Sequence, residues 1–314
     1  MSSIEAHRFS GAEAGAWNSF IPRARNGHFI FDRRYMDYHN DRFDDFSLMF
    51  HKNEQLVALL PANKVGNTVV SHGGLTFGGF LIGDDVRAAT MLDVFKNAID
   101  FLGKKACRSL LYKRVPYIYH RQPADEDLYA LSRLNGRLVG REITSALDLE
   151  RHVSVSRGRK ATVRKARREG ASIDVSTKFG TFMSILGRRL DEKYGTTPTH
   201  TTAELEFLAN RFPDNIKLFA AELDSEMVAG AVVYQSEHVA HTQYLATTEI
   251  GRKVRALDAI IAELAEVYRG VVRYLDLGTS SENDGREINE SLMRYKEAFG
   301  ARAVVHDQYL LEID

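Results

Sequence analysis

The feature that most constrains the fold is a short pattern that occurs once in each half of the chain. Residues 48–61 read LMFHKNEQLVALLP and residues 218–232 read LFAAELDSEMVAGAV. Each segment places a charged turn between two apolar runs, which is the pattern of a β-hairpin. In both halves a further strand pattern follows, then an amphipathic helix pattern that ends at glycine, and then an apolar strand pattern.

This repeated order predicts an α/β chain of the mixed α+β class, built from two units of similar plan. A hairpin, a strand, a helix and a strand in succession form a mixed, mainly antiparallel sheet with helices packed on it. We expect the first unit at residues 1–153 and the second, carrying the active site, at residues 154–314. Chance similarity between two α/β segments is the alternative to a true repeat.

Composition excludes several classes of protein. The 314 residues include 42 Lys and Arg and 42 Asp and Glu, so no global charge favours DNA or an acidic membrane surface. No apolar run approaches the ~20 residues of a membrane-spanning helix, and no secretory leader pattern opens the chain. The single cysteine, Cys107, excludes an intramolecular disulfide. We therefore expect a cytoplasmic globular protein without a membrane span.

The segment from Tyr274 to Asp314 has the pattern of a functional site. An apolar strand ends at Gly278, and the polar loop that follows supplies more hydrogen-bonding groups than a simple turn needs. The next helix, about 288–299, has apolar residues at spacings of three and four, so its polar residues lie on the flanks. A small polar ligand is the expected use. The candidate substrate-binding residues here are Ser280, Glu282, Asn283, Asn289 and Lys296.

The motifs LDLGTSSENDG, KEAFG and VVHDQYLLEI in this segment resemble those of the FemAB-like (BioF2-like) branch of the GNAT-superfamily N-acyltransferases. The similarity extends upstream to TVRKARREG at residues 162–170, so it covers about the last half of the chain. The resemblance implies two tandem GNAT-like (acyl-CoA N-acyltransferase) units and transfer of an acyl group to an amine.

The resemblance also implies a place for the acyl donor. In GNAT enzymes, amides at the start of a helix after a splayed strand hold the donor pyrophosphate, and the matching segment here is TTEIGRKVRALDAII. Free amides over residues 254–257, beside basic side chains, would form an anion site at a helix N-terminus. The glycine pattern (R/Q)xxGx(G/A) is not kept, because Arg255 and Ala256 occupy its later positions. The candidate donor-binding residues are Tyr244, Arg252, Lys253, Val254, Arg255, Ala256 and Leu257, with acetyl-CoA or another acyl-CoA as co-substrate.

Residues 238–248 predict a strand with polar groups on both faces, which suggests that one face lines a ligand groove. His241 is the first candidate for the base that accepts the amine proton, and Glu249 is the second. Strict alternation places His241 and Gln243 on one side and Tyr244 on the other. Acceptor-binding candidates outside the C-terminal segment are Gln243 together with Tyr194 and His200 of the loop DEKYGTTPTH.

Three functions remain open from the sequence. The first is transfer of an acyl group, expected to be acetyl, from acyl-CoA to a primary amine of a polar acceptor such as a nucleotide-linked amino sugar or a cell-envelope precursor. The second is an aminoacyl-tRNA-dependent transferase of the FemAB type, which the basic helix pattern at 157–168 favours. The third is a non-catalytic binding protein on the same fold. We predict no metal site, because the histidines have no metal-ligand spacing. The sequence leaves the oligomeric state open.

Overall fold

A computed structural model describes residues 4–151 and 154–313. The chain forms two compact units, one of Met1–Ile143 with Glu282–Glu287 and Val305–Asp314, the other of Thr144–Ser281 with Ile288–Val304. Among the described residues, the chain therefore passes between the units within four of its strands, at residues 143/144, 281/282, 287/288 and 304/305. A boundary at 153/154 with two uninterrupted halves stays a prediction.

Among the described residues, the first unit has eight short strands and four α-helices before the chain leaves it, and a C-terminal strand returns to it. The strands are β1 (Ile4–Arg8), β2 (Asp44–Asp45), β3 (Leu48–Lys52), β4 (Gln55–Leu60), β5 (Asn63–Val65), β6 (Thr68–Val70), β7 (Leu81–Ile82) and β8 (Ser109–Lys113). The helices are α1 (Ala14–Phe20), α2 (Arg33–Met36), α3 (Ala88–Lys104) and α4 (Glu126–Arg133). Strand β9 (Arg137–Asp148) then leads into the second unit.

The second unit alternates helices and long strands. Its helices are α5 (Arg157–Arg168), α6 (Phe179–Tyr194), α7 (Thr202–Arg211), α8 (Glu249–Val254), α9 (Ala256–Val267) and α10 (Glu290–Glu297). Its strands are β10 (Ser172–Ser176), β11 (Ile216–Leu223), β12 (Glu226–Gln235), β13 (Val239–Thr247) and β14 (Tyr274–Thr279). A small hairpin, β15 (Ser281–Glu282) and β16 (Glu287–Ile288), precedes α10, and β17 (Arg302–Glu312) closes the chain.

Each unit has its own apolar core and its own strand order. In the first unit, β1-β3-β4-β7 form one sheet. The C-terminal part of β17 pairs with β8, and β6, β5 and β2 follow in that order. In the second, the order is β10-β11-β12-β13-β14 and then the end of β9. The first core includes Val94, Phe95 and Ala98 of α3, and the second includes Ile260, Ile261 and Leu264 of α9. The predicted mixed α+β class is confirmed.

The two hairpins that the sequence pattern predicted are present, with the same turn. Asn53 and Glu54 join β3 to β4, and Asp224 and Ser225 join β11 to β12, all four with positive φ. Two successive positive φ values are the type I′ conformation that fits the twist of paired strands. In each unit one parallel pair also follows: β6 with β8, and β13 with β14. The similarity thus extends from the hairpin to the sheet.

Candidate active site

The candidate active site lies where the parallel strands β13 and β14 separate. They pair over three positions only, and the last pair is His241 with Asp276. Beyond it, β14 turns at Gly278, which has φ 75°, and its register with β9 is irregular between Asp276 and Thr279. Glycine adopts this φ without steric cost. The separation opens the sheet between two strand backbones, and we call this place the fork.

His241 and Asp276 form a hydrogen-bonded pair at the fork. His241 Nδ1 lies 3.0 Å from Asp276 Oδ2, and the aspartate side chain is fully buried. The second aspartate oxygen accepts the Gly278 amide at 2.9 Å. Because a carboxylate only accepts hydrogen bonds, Nδ1 of a neutral His241 carries the proton and Nε2 keeps its lone pair. The arrangement is that of a general base held in one tautomer by an acid.

Lys296 supports the same turn from α10. Its buried ammonium donates to the Gly278 carbonyl at 2.7 Å and to the Thr279 carbonyl at 2.6 Å. Burial lowers the pKa of Lys296 to about 8, against the opposing effect of the Asp276 charge. The amine therefore fixes the bend of β14 while remaining mainly protonated at neutral pH.

Ser280 places a hydroxyl in the interior directly after this bend. The residue is 1% exposed, and its Oγ has no hydrogen-bond partner among the described residues. A buried hydroxyl without a partner costs free energy, roughly 1–3 kcal/mol. Such a group directly after the bend at Gly278 is suited to a bound molecule.

A β-bulge changes the face pattern of β13. Tyr244 pairs with Val232 and Thr242 with Val233, so Gln243 is the extra residue without a partner in β12. The expected strict alternation along the strand is therefore wrong at Gln243, because a bulge places two residues opposite one. The Tyr244 hydroxyl lies 2.5 Å from His200 Nδ1, and burial raises the pKa of Tyr244. Tyr244, predicted to bind the donor, is thus within hydrogen-bonding distance of His200, predicted to bind the acceptor.

The expected anion site lies at the junction of α8 and α9. Arg255 separates the two helices with φ 66°, and its amide donates to the Arg252 carbonyl at 3.2 Å. The expectation of free amides throughout 254–257 is therefore wrong for Arg255, and Val254 is the last residue of α8. The amides of Ala256 and Leu257 open α9, where helix geometry leaves them without intrahelical partners.

The remaining candidate residues lie on exposed surfaces or at caps. Glu249 is exposed on α8 and pairs with Lys253 at 3.1 Å, which lowers the pKa of Glu249. Asn289 caps α10 by accepting the Leu292 amide. Tyr194 is exposed at the end of α6. Glu282 and Asn283 belong to the β15–β16 hairpin, where Asn283 has φ 52°. The turn explains the asparagine, since Asn accepts positive φ more readily than most residues.

One basic residue of helix α5 is partly buried in an ion pair, and other basic residues of the helix are exposed. Arg159 pairs with Asp258 at 2.9 Å and lies over the Tyr295 ring at 4.3 Å. Four further basic residues recur at spacings of three and four, so they share one stripe of the helix. This exposed stripe consists of Arg157, Lys160, Arg164 and Arg168.

Comparison with known proteins bears on the fold of the chain. Residues 156–297 match the family model described as "Acetyltransferase (GNAT) domain". This segment, which lies mostly in the second unit, is therefore similar to a GNAT domain, and the chain has the fold of FemAB-like GNAT proteins. The crystal structure of FemX is 10% identical, with 96% of each chain covered and a TM-score of 0.68. No curated protein sequence matches the chain.

Two further solved structures share the fold of this chain. The structure of L-PGS from Bacillus licheniformis is 15% identical over 97% of this chain and 92% of that chain, with a TM-score of 0.63. A tandem GNAT protein from the clavulanic acid biosynthesis pathway is 13% identical over 99% of each chain, with a TM-score of 0.52. At these identities the similarity establishes the fold, and the two-unit GNAT architecture is confirmed.

The corresponding fork of the first GNAT-like unit is closed by its own chain. The last parallel pair there is Val70 with Leu111, so no ionisable pair occupies that position. The Ser71 hydroxyl then accepts the Lys113 amide at 2.6 Å, and the Gly78 amide donates to the Lys113 carbonyl at 3.1 Å. A Cβ on Gly78 would lie 1.7 Å from the Ser71 carbonyl oxygen. The glycine-rich loop therefore fills the space that is open in the second unit.

Sequence reasoning missed Asp276, although one signal pointed to it. An aspartate inside the apolar run YLDLG is unusual, because a buried carboxyl must be paired or hydrogen-bonded. It also missed the pairing of Arg159 with Asp258, which lie 99 positions apart. No helix in the described ranges 4–151 and 154–313 has the length and apolar character needed to cross a bilayer. Those same ranges contain no cluster of three or more histidine, cysteine or acidic side chains suited to a metal ion.

Proposed function

We propose that the second unit is an amide-forming N-acyltransferase in which His241, positioned by Asp276, removes a proton from the primary amine of a polar acceptor. One observation carries the proposal: the 3.0 Å hydrogen bond between these residues at the place where β13 and β14 separate. An acid-oriented histidine next to an opening in the sheet is suited to proton transfer to a bound substrate.

The proposed reaction needs little covalent chemistry from the protein. The amine nitrogen attacks the thioester carbonyl, a C–N bond forms, the C–S bond breaks, and the thiol leaves with a proton. His241 Nε2 accepts the amine proton, and the imidazolium that forms is stabilised by the Asp276 carboxylate. Alignment of the two substrates supplies much of the rate enhancement. A backbone amide near the bulge at Gln243 polarises the carbonyl, as an oxyanion site requires.

The donor that we propose is acyl-CoA, with acetyl as the acyl group rather than an aminoacyl group. The open amides of Ala256 and Leu257, with Arg252, Lys253 and Arg255 beside them, are suited to its pyrophosphate. The acceptor that we propose is a nucleotide-linked amino sugar or a cell-envelope precursor, met in the cytoplasm. The residues proposed to contact it are Tyr194, His200, Gln243, Ser280, Glu282, Asn283, Asn289 and Lys296.

His241 is a better base than Glu249 on physical grounds. Glu249 is fully solvated, and its ionic partners, Lys253 and Arg252, belong to the same short helix. These charges favour the carboxylate and lower its pKa, so it is a weak proton acceptor. We therefore propose no proton transfer at Glu249.

A second candidate function keeps the chemistry and changes the donor to an aminoacyl-tRNA. The observation in its favour is the exposed stripe of α5, whose four cations lie about one helical turn apart. A polyanion that runs along this face would release counterions, so its affinity would fall steeply with salt. Acyl-CoA binding would depend on salt less strongly, because CoA carries fewer phosphates.

The test is a release assay for free CoA with acetyl-CoA and a panel of polar primary amines. The wild type is compared with His241→Asn, Asp276→Asn and a control, His238→Asn, whose histidine lies in the same loop-strand segment and outside the fork. Loss of a general base lowers kcat by roughly 10²–10⁴-fold. We expect that loss for His241→Asn, a smaller loss for Asp276→Asn, and no change for His238→Asn.

Three outcomes contradict the proposal in different ways. Full activity of His241→Asn removes the assigned base but keeps the acyltransferase. Absence of acetyl transfer by the wild type removes the CoA donor, and binding of aminoacyl-tRNA at 50 mM but not 300 mM salt then supports the second candidate. If neither donor is used and the fork variants keep all ligand binding, the chain is a non-catalytic binding protein.

A further inference from the structure

A buried polar cluster connects three helices of the second unit near the proposed donor site. Arg159 of α5 donates to Asp258 Oδ2 of α9 at 2.9 Å, and the Tyr295 hydroxyl of α10 donates to Oδ1 at 2.8 Å. The Arg159 guanidinium also lies 4.3 Å from the Tyr295 ring centre and 5.6 Å from that of Phe299. We call Arg159, Asp258 and Tyr295 the α9 clamp.

The position of Asp258 gives the clamp an electrostatic consequence. Asp258 is the third residue of α9, so its carboxylate lies in the same turn as the open amides of Ala256 and Leu257. A carboxylate in the first turn interacts favourably with those amides and would repel a second anion brought to them. The Asp258 residue is only 4% exposed, so water screens its charge weakly. Among the described residues, Arg159 is the cation paired with it.

We propose that Arg159 is a positioning residue for the acyl donor: by neutralising Asp258, it lets the first turn of α9 accept the donor phosphates. This inference rests on the proposed function, because it assumes that the donor pyrophosphate binds at that turn. The clamp also fixes α10 through Tyr295, the neighbour of Lys296, and so holds the donor turn and the fork in one arrangement.

Two substitutions separate this role from a purely structural one. Arg159→Met removes the cation and leaves Asp258 unpaired, so the negative charge opposes the donor. Asp258→Asn removes the negative charge and leaves Arg159 free to attract the donor. Both break a buried ion pair and lower stability. A structural role predicts weaker donor binding for both, whereas an electrostatic role predicts opposite changes.

The experiment is calorimetric titration of CoA into wild type, Arg159→Met, Asp258→Asn and the double variant at 50 mM salt. Arg167→Met is the control, because Arg167 is exposed on the same helix, outside the exposed stripe, and pairs with Glu263 of α9 far from its first turn. We expect Kd to rise roughly three- to thirtyfold for Arg159→Met, from one unit charge at short range. For Asp258→Asn we expect Kd to fall, and for the double variant we expect it to return near the wild-type value. Thermal unfolding of each protein checks that it is folded.

Parallel weakening by both single variants, or an unchanged Kd for Arg159→Met, overturns the inference while the acyltransferase stands. Titration with inorganic pyrophosphate separates the two ideas, since it does not depend on acyl transfer. If the wild type transfers nothing yet binds pyrophosphate with the opposite shifts, the proposed function fails and the role of Arg159 stands. If the wild type binds neither CoA nor pyrophosphate, both fail.

Discussion

At the scale of single residues, Lys296 has a charge where a helix facing a core normally has an apolar side chain. It is 3% exposed, and burial lowers its pKa to about 8. A lysine rarely occupies such a place unless its ammonium is paired or hydrogen-bonded. Here it holds the carbonyls of Gly278 and Thr279, at the bend that opens the fork. The buried ammonium therefore stabilises the bend of β14, and its burial lowers the stability of the fold.

Lys296→Met should change how stability depends on pH. The folded pKa of Lys296, about 8, is below the ordinary value of 10.5. Between these values the unfolded chain binds more protons, so the lysine protein gains stability as pH rises, by about 1.4 kcal/mol for each pH unit. The methionine protein lacks this contribution. Urea unfolding of both proteins should be measured at pH 7, 8, 9 and 10. The free energy of unfolding of the lysine protein should rise relative to that of the methionine protein only above pH 8.

Lys113 has a lowered pKa of about 8 as well, but it is present in both proteins and its contribution cancels. A difference in unfolding free energy that stays constant from pH 7 to pH 10 would mean that Lys296 titrates normally in the folded chain.

Residue types were easier to predict from the sequence than residue partners. His241 was selected by its type on a polar strand, whereas Asp276 lies 35 positions later and meets it only through the register of β13 and β14. Asn283 was predicted to organise substrate, yet its conformation is that of a turn residue. The same polar residue types favour both turns and ligand sites, so composition alone does not separate them.

At the scale of elements, α8 is placed by one close backbone contact. A Cβ on Gly251 would lie 2.2 Å from the Val228 carbonyl oxygen of β12 and 2.4 Å from Thr247 Oγ1. Thr248 caps the helix by accepting the Gly251 amide at 3.0 Å. Glycine at this position therefore lets α8 approach the sheet closely and delivers the chain to the start of α9.

Gly251→Ala should destabilise the second unit, because the added methyl group meets backbone. Overpacking of this kind costs about 1–3 kcal/mol. Gly187→Ala is the matched control, since Gly187 lies inside α6 and nothing is within 4 Å of its Cβ position. There the change should stabilise by roughly 0.5–1 kcal/mol, the usual helix preference for alanine. Equal effects at the two sites in denaturant unfolding would contradict the contact at α8.

The helices were predictable to the extent that local pattern determines them. The basic run 157–168 coincides with α5, and the apolar spacing after Arg255 coincides with α9. The face pattern of β13 was not predictable from the local sequence, because the bulge at Gln243 arises from pairing with β12. The sequence pattern predicts a polar loop where the structure has the hairpin β15–β16, although Asn-Asp-Gly is a turn signal.

At the scale of the whole molecule, the two units share a plan and differ in what occupies the fork. In the second unit the last parallel pair is His241 with Asp276, and in the first it is Val70 with Leu111. The hairpin repeat made the shared plan predictable. It did not predict that Ser71 and Gly78 would close the first fork, since those hydrogen bonds depend on the path of one loop. We therefore expect the chemistry to reside in the second unit alone.

The closed fork of the first unit contains a buried histidine, His72, and this gives the two units different responses to acid. His72 is 3% exposed, and burial lowers its pKa to about 3 from an ordinary 6.5. Burial also lowers the pKa of its neighbour His39. Below pH 6.5 the unfolded chain takes up protons that the folded unit excludes, so stability is lost as pH falls.

The loss for His72 is about 1.4 kcal/mol for each pH unit, or roughly 2 kcal/mol between pH 6.5 and pH 5. Hydrogen exchange measured at pH 7 and pH 5, and corrected for intrinsic rates, should therefore show loss of protection in β3, β4, β6 and β8. Strands β11 and β12 serve as the internal control. His72→Asn should reduce the difference, because it removes one group that titrates, while His120 of the same unit, whose pKa burial lowers to about 4, keeps its own contribution. Equal loss of protection in both units would mean that acid acts through groups common to the two, and not through the closed fork.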